Sequence, residues 1–166
     1  HILLTSNVRY DPSGNILGYE GIVVDQTRRK EHANMIKEAR DFLDRIISSS
    51  PNAIMAMDMN GTIRLWNQGA EEIFGYRADE VVGKMAIHEI FSKDLSRKVM
   101  EMIRDKKSGG RGRLTSYPLN FKRKDGVLVE GNLSAGIIYD DRGKETATVA
   151  TFVDLKERLE VERELS

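Results

Sequence analysis

The chain contains no cysteine. That absence excludes disulfides, thiolate zinc sites and thiol catalysis, and it fits a reducing compartment. An excess of one charge is missing too, since 26 Lys and Arg balance 26 Asp and Glu. With no basic surplus and no long like-charge run, no nucleic-acid partner is expected. No apolar run approaches the ~20 residues that span a bilayer, so no membrane segment is expected in this stretch. No signal peptide stands at His1. The first residues read as the middle of a longer protein, whose other parts remain free to carry a membrane anchor; this segment is expected to be cytoplasmic. Catalytic signatures are absent as well. The stretch SGGRG (108–112) follows a helical pattern rather than opening one, so it is no phosphate loop. Three histidines in scattered contexts supply no oriented base for a nucleophile. Most carboxylates sit in helix-surface patterns such as KERLEVERE, where solvated charge is the default. The segment is not expected to be an enzyme.

What the sequence does contain is a repeat. Tyr10, Asp11, Gly14, Val24, Asp25, Arg29 and Glu31 match Tyr139, Asp140, Gly143, Val153, Asp154, Arg158 and Glu160 without a gap, at a constant offset of 129. Each copy reads as two extended runs about a turn, DPSGN or DDRGK, followed by a charged tail. In the first tail, Ala33, Met35, Ile36, Ala39, Phe42, Leu43, Ile46 and Ile47 recur at helical spacing and cover one broad face. Pro51 ends that helix, because the residue before a proline disfavours helical backbone. The middle of the chain opens with two β-rich runs about Asn60-Gly61, a pair suited to a tight hairpin. Asn67 is placed to cap a short helix that stops at Gly75. A further turn or two follows to Gly83. A longer helix is predicted from a Ser92 cap through Leu95, Val99, Met102 and Ile103 to Gly109. Three more strands end at Asp154.

The string Asp58-x-x-Gly61-x-Ile63-x-x-Trp66-Asn67-x-x-Ala70-x-x-x-Phe74-Gly75-Tyr76-x-x-x-Glu80-x-x-Gly83 resembles the front half of a PAS sensory domain. RKDG (123–126) resembles that family's fourth-strand turn, and FVDLKER (152–158) its exit motif. Asp25-Gln26-Thr27 matches the exit more closely, since Lys156 replaces the threonine in the second copy. The resemblance implies an α+β fold, with a five-stranded antiparallel sheet carrying short helices on one face. To this the chain adds an N-terminal β-hairpin, a linker helix and a C-terminal exit helix. The expected organisation is the last hairpin of a preceding PAS domain at 1–28 and an amphipathic linker helix at 29–50. A complete PAS domain follows at 51–154, and a signalling helix starts at 155–166. The front hairpin could instead belong to this same domain through swapping.

In the family, ligands sit between the sheet and the long helix. Period-two alternation puts Val129, Gly131, Leu133, Ala135 and Ile137 on one face of the fourth strand, taken as the inner one. A candidate pocket is therefore formed by Val99, Met102, Ile103, Gly131, Leu133 and Ala135, with Gly131 and Ala135 leaving the space for a small unidentified ligand. In the alternative, Met55, Met57, Met85, Met100 and Met102 fill that space, and the module binds nothing small. Haem is not expected: the family's haem sensors take a histidine from the long helix, which here carries Ser96-Arg97-Lys98. His88 reads as a surface or loop residue, and His32 lies on the linker. The photoactive flavin adduct needs a cysteine. Non-covalent FAD stays open, with Trp66-Asn67 either near its ring or simply scaffold. Asp25, Thr27 and Asp154 are the expected relay residues. Met35, Ile36, Ala39, Phe42, Leu43 and Ile46 form a stripe suited to a two-helix seam with a second copy, or to packing on the chain's own sheet. Together these readings imply a homodimeric sensory relay. It would act on an output domain in the same chain, such as a histidine kinase of a two-component system.

Overall fold

The structure, a computed structural model, describes residues 2–25, 27–105 and 112–156. Two compact units divide the chain, residues 1–45 and 46–166.

In the first unit, β1 (Ile2–Tyr10) and β2 (Ile16–Asp25) form an antiparallel hairpin. Asp11 closes it: its Oδ1 accepts the N–H groups of Ser13 and Asn15, both at 2.8 Å, the side-chain turn that DPSGN predicts. The helix α1 (Thr27–Ser49) follows, and its last turn belongs to the second unit. No residue of α1 is buried, and Met35, Ile36, Phe42, Leu43 and Ile46 stand exposed.

In the second unit, β3 (Ala53–Asp58), β4 (Ile63–Trp66), β5 (Arg113–Lys122), β6 (Leu128–Tyr139) and β7 (Glu145–Asp154) make one antiparallel sheet in the order β4-β3-β7-β6-β5. The helices α2 (Gln68–Phe74), α3 (Ala78–Val81), α4 (Ile87–Phe91) and α5 (Lys93–Arg104) come between β4 and β5 in the chain. Their apolar sides pack into one core with the sheet's buried face. Alternation decides which face that is. On β6, Val129, Gly131, Leu133, Ala135 and Ile137 are buried, while Glu130 is exposed. This is the α+β architecture expected from the sequence. Asn67 caps α2 by accepting the Ala70 N–H at 2.9 Å, and Ser92 caps α5 through the Leu95 N–H at 3.3 Å.

Two expectations need correction. The long helix ends at Arg104, where Asp105 turns to extended backbone, so it stops short of Gly109; residues 106–111 lie outside those described. The segment before it is not a loop, because residues 87–91 form α4.

The repeat is reproduced in three dimensions. Val8 pairs with Tyr19 and Ile137 with Thr148; Leu4 pairs with Val23 and Leu133 with Phe152. Every paired position of one hairpin maps onto the other at the same offset. So does the irregularity, between Arg9 and Tyr10 in one and between Ile138 and Tyr139 in the other. Asp140 repeats the Asp11 turn, its Oδ1 accepting from Arg142 and Lys144 at 2.9 Å each. The surroundings differ. β6 and β7 lie inside a five-stranded sheet, whereas β1 and β2 form a sheet of two.

Candidate functional site

The buried face of the sheet is divided between two kinds of packing. On one side Phe74 gathers a cluster of rings, with centroids 5.1 Å from Trp66, 5.2 Å from Phe91, 4.6 Å from Phe121 and 5.6 Å from Phe152. Edge-on and tilted rings at these separations pack densely. On the other side the inward residues are Met55 and Met57 of β3, Leu119 of β5, Leu133 and Ala135 of β6, and Thr148 and Ala150 of β7. With α4, the first half of α5 and the turn 58–61 they line a partly open cavity of about 270 Å³. Met55, Met57, Met59 and Met100 line this space rather than fill it. Met85 and Met102 pack against the core without lining it.

Of the six pocket residues expected from sequence, Val99, Leu133 and Ala135 line the cavity. Met102 is half-buried against the core, and Ile103 is fully buried within it. Gly131 opens no space. A Cβ there would overlap the Phe152 ring and the Val153 carbonyl oxygen, so the ring from the adjacent strand already occupies the volume that glycine vacates. Sequence reasoning missed His88 and Phe91, which α4 brings to the cavity. Their signal was a five-residue helix, IHEIF, too short to show a period. Trp66 donates its indole N–H to the Tyr76 carbonyl at 3.0 Å and is scaffold, not cavity wall. Between α4 and α5, Ser92 holds φ 84 and ψ 149, a conformation nearly confined to glycine and costly for a side-chain-bearing residue.

Asn67 does more than cap α2. Its Oδ1 also accepts the Ile54 N–H at 2.8 Å. Its Nδ2 donates to the carbonyls of Ile47 at 2.9 Å and Asn52 at 3.0 Å. One buried amide thus fastens the end of α1 to the starts of β3 and α2. Gly69 completes the junction, since any Cβ there would overlap the backbone of Pro51 and Asn52.

The two strand exits share one hydrogen bond. Asp25 Oδ1 accepts the Thr27 N–H at 2.8 Å, and Asp154 Oδ1 accepts the Lys156 N–H at 2.8 Å. Hydrogen bonds from the Thr27 side chain and backbone hold the Asp25 carboxyl below its ordinary value. At the cavity's rim, Arg64 holds Asp58 low, aided by the N–H groups of Thr62 and Asn60. The helix expected over 155–166 lies outside the described residues beyond Lys156, where Leu155 and Lys156 open a helical turn. Among the described residues no cluster of ligating side chains could hold a metal, and no helix is long and apolar enough to cross a membrane.

Comparison with known proteins agrees with this geometry. A family model described as PAS fold matches residues 41–155. The phytochrome of Pinus sylvestris is 29% identical over 170 residues, covering 93% of this chain and 15% of the phytochrome. The sensor protein kinase WalK of Staphylococcus aureus (strain Newman) is 26% identical over 136 residues, covering 82% of this chain and 20% of the kinase. The chain therefore spans a fifth or less of these relatives' length. Among solved structures, the PAS domain of Bordetella pertussis BvgS superposes with a TM-score of 0.58 at 22% identity, covering 80% of this chain and 97% of that one. With its sheet order, its helices and a matching family model over most of its length, the chain belongs to the PAS family and is related to sensor histidine kinases.

Proposed function

We propose that residues 51–154 act as a ligand-responsive relay, and the cavity between α4, α5 and the sheet is the observation that carries this reading. A ligand there contributes its differential affinity for two packings of α5 against the sheet. Arg104 of α5 pairs with Glu145 of β7 at 2.6 Å, so a shift of α5 reaches the strand that ends at Asp154. Asp154 fixes the direction in which the chain leaves, toward an output domain such as a histidine kinase. In the full-length protein Asp154→Ala should uncouple output while leaving the thermal melt of this domain unchanged. Normal signalling by that variant would refute the relay through Asp154.

The matched hairpins support a second element of the proposal. Residues 1–28 are the closing hairpin of a preceding PAS domain, and α1 carries its output into this one. Met35, Ile36, Ala39, Phe42, Leu43 and Ile46 then form the seam of a homodimer. A module that only holds two copies in register, with nothing bound in its core, is the competing reading. Native mass spectrometry of the full-length protein separates the two: a retained small mass in the dimer favours the relay, and a cavity that stays empty in every state favours the simple dimer.

A further inference from the structure

Among the described residues only two polar side chains are buried with the core, Asn67 and Thr148, each 5% exposed. Asn67 is satisfied by backbone groups on both its oxygen and its nitrogen and does not line the cavity. Thr148 does line it. Its hydroxyl has one partner among the described residues, the Met100 sulfur at 3.8 Å. A thioether is a weak acceptor, and the hydroxyl oxygen has two lone pairs of its own to satisfy. On the same face of β7, Ala150 and Phe152 are apolar. Valine at 148 would fill the same volume without burying a hydroxyl. Thr148 is also firmly placed, because its backbone pairs with Met57 on one side and Ile137 on the other.

Apart from the half-buried His88 of α4, the other polar groups at this cavity are engaged or exposed. Asp58 holds its own turn and Arg64. Ser96 donates to the Ser92 carbonyl at 2.9 Å. Arg97, with a side chain 72% exposed, pairs with Asp94. No buried charge faces the interior to match an ionised ligand, and an unpaired ion in such a site is disfavoured. A dry apolar cavity of roughly 150 Å³ takes one benzene ring, and this one measures about 270 Å³.

We infer that the cavity takes a neutral, largely apolar molecule of about two fused rings, bearing one hydrogen-bonding oxygen that seats on the Thr148 hydroxyl. The inference rests on the reading of the cavity as a ligand site and specifies the chemistry of what enters it. The hydroxyl donates to a carbonyl or accepts from a phenol; the Met and Leu side chains take up the shape of the rest.

The test uses the 166-residue chain and a matched pair of compounds, 2-naphthol and naphthalene. Dissociation constants are read from methyl shifts of Ala135 and Ala150, which every variant keeps. Both compounds should shift these methyls. The preference for 2-naphthol over naphthalene should fall about tenfold in Thr148→Val, the worth of one net hydrogen bond, with naphthalene affinity unchanged. Thr148→Ser, which keeps the hydroxyl, should retain the preference and shows that the loss is not one of folding. If both compounds bind but Thr148→Val leaves the preference intact, the seat on Thr148 is wrong and the ligand cavity stands. If neither shifts these methyls up to its solubility limit, the inference and the ligand reading of the cavity fall together.

Discussion

At the scale of single residues, the most instructive position is Gly131. Alternation along β6 correctly placed it on the inner face, and its lack of a side chain suggested open space. The space belongs to Phe152 instead. That fact depends on the register between β6 and β7, which one strand's sequence does not carry. Gly131→Ala is expected to destabilise the domain by about 1–3 kcal/mol, because the ring and the Val153 carbonyl must both give way; urea denaturation measures it. Ala135, four residues further along the same face, faces the cavity as the sequence suggested. Asp58 sets a pH dependence at the cavity's rim. Its carboxyl is held below the ordinary 3.8 by Arg64 first, then by backbone donors. A depressed native pKa stabilises the fold above the unfolded value and loses that contribution as pH falls through the native one. The 58–64 turn should therefore keep its structure at pH 5 and above and loosen as the pH drops below about 3.8. Amide shifts of Asn60 and Thr62 followed in an acid titration report this, and Asp58→Asn should remove the transition.

At the scale of elements, legibility followed length and period. The strands and α1 were readable because several turns or alternations repeat the same signal. α4 was not, because five residues show no period, and with it went the placement of His88. The end of α5 was misjudged for a related reason: residues 105–108 are compatible with helix by composition, yet Asp105 already has extended backbone. The hairpin β1–β2 makes a prediction of its own. A two-stranded sheet with Ile2, Leu4, Val8, Tyr19 and Val23 exposed is marginal alone. By the offset of 129, these side chains occupy the positions of Gly131, Leu133, Ile137, Thr148 and Phe152, which are buried. Hydrogen exchange should be fast throughout β1–β2 in this chain and slow in β6–β7. In a longer chain that carries the preceding domain, β1–β2 should become as protected as β6–β7; continued fast exchange there would contradict that assignment.

At the scale of the whole molecule, the exposed stripe on α1 is the proposed dimer seam. Burying one Phe- or Leu-sized side chain contributes about 1.5–3 kcal/mol, and Phe42, Leu43 and Ile46 are each about half exposed or more. The chain should sediment as a dimer at micromolar concentrations, and the double variant Phe42→Asp with Ile46→Asp should sediment as a monomer with an unchanged fold. A wild-type monomer throughout that range would remove the seam.

The paired Asp25 and Asp154 exits carry a broader consequence. If the carboxylate that closes one strand accepts the N–H two residues on, as its counterpart does, the two connectors leave from the same kind of joint. Under the proposed tandem arrangement such units would be interchangeable links, and a copy could be spliced in or out of the row while the joint itself stayed the same. A longer receptor would then need no new hinge, only another link cut to the existing pattern.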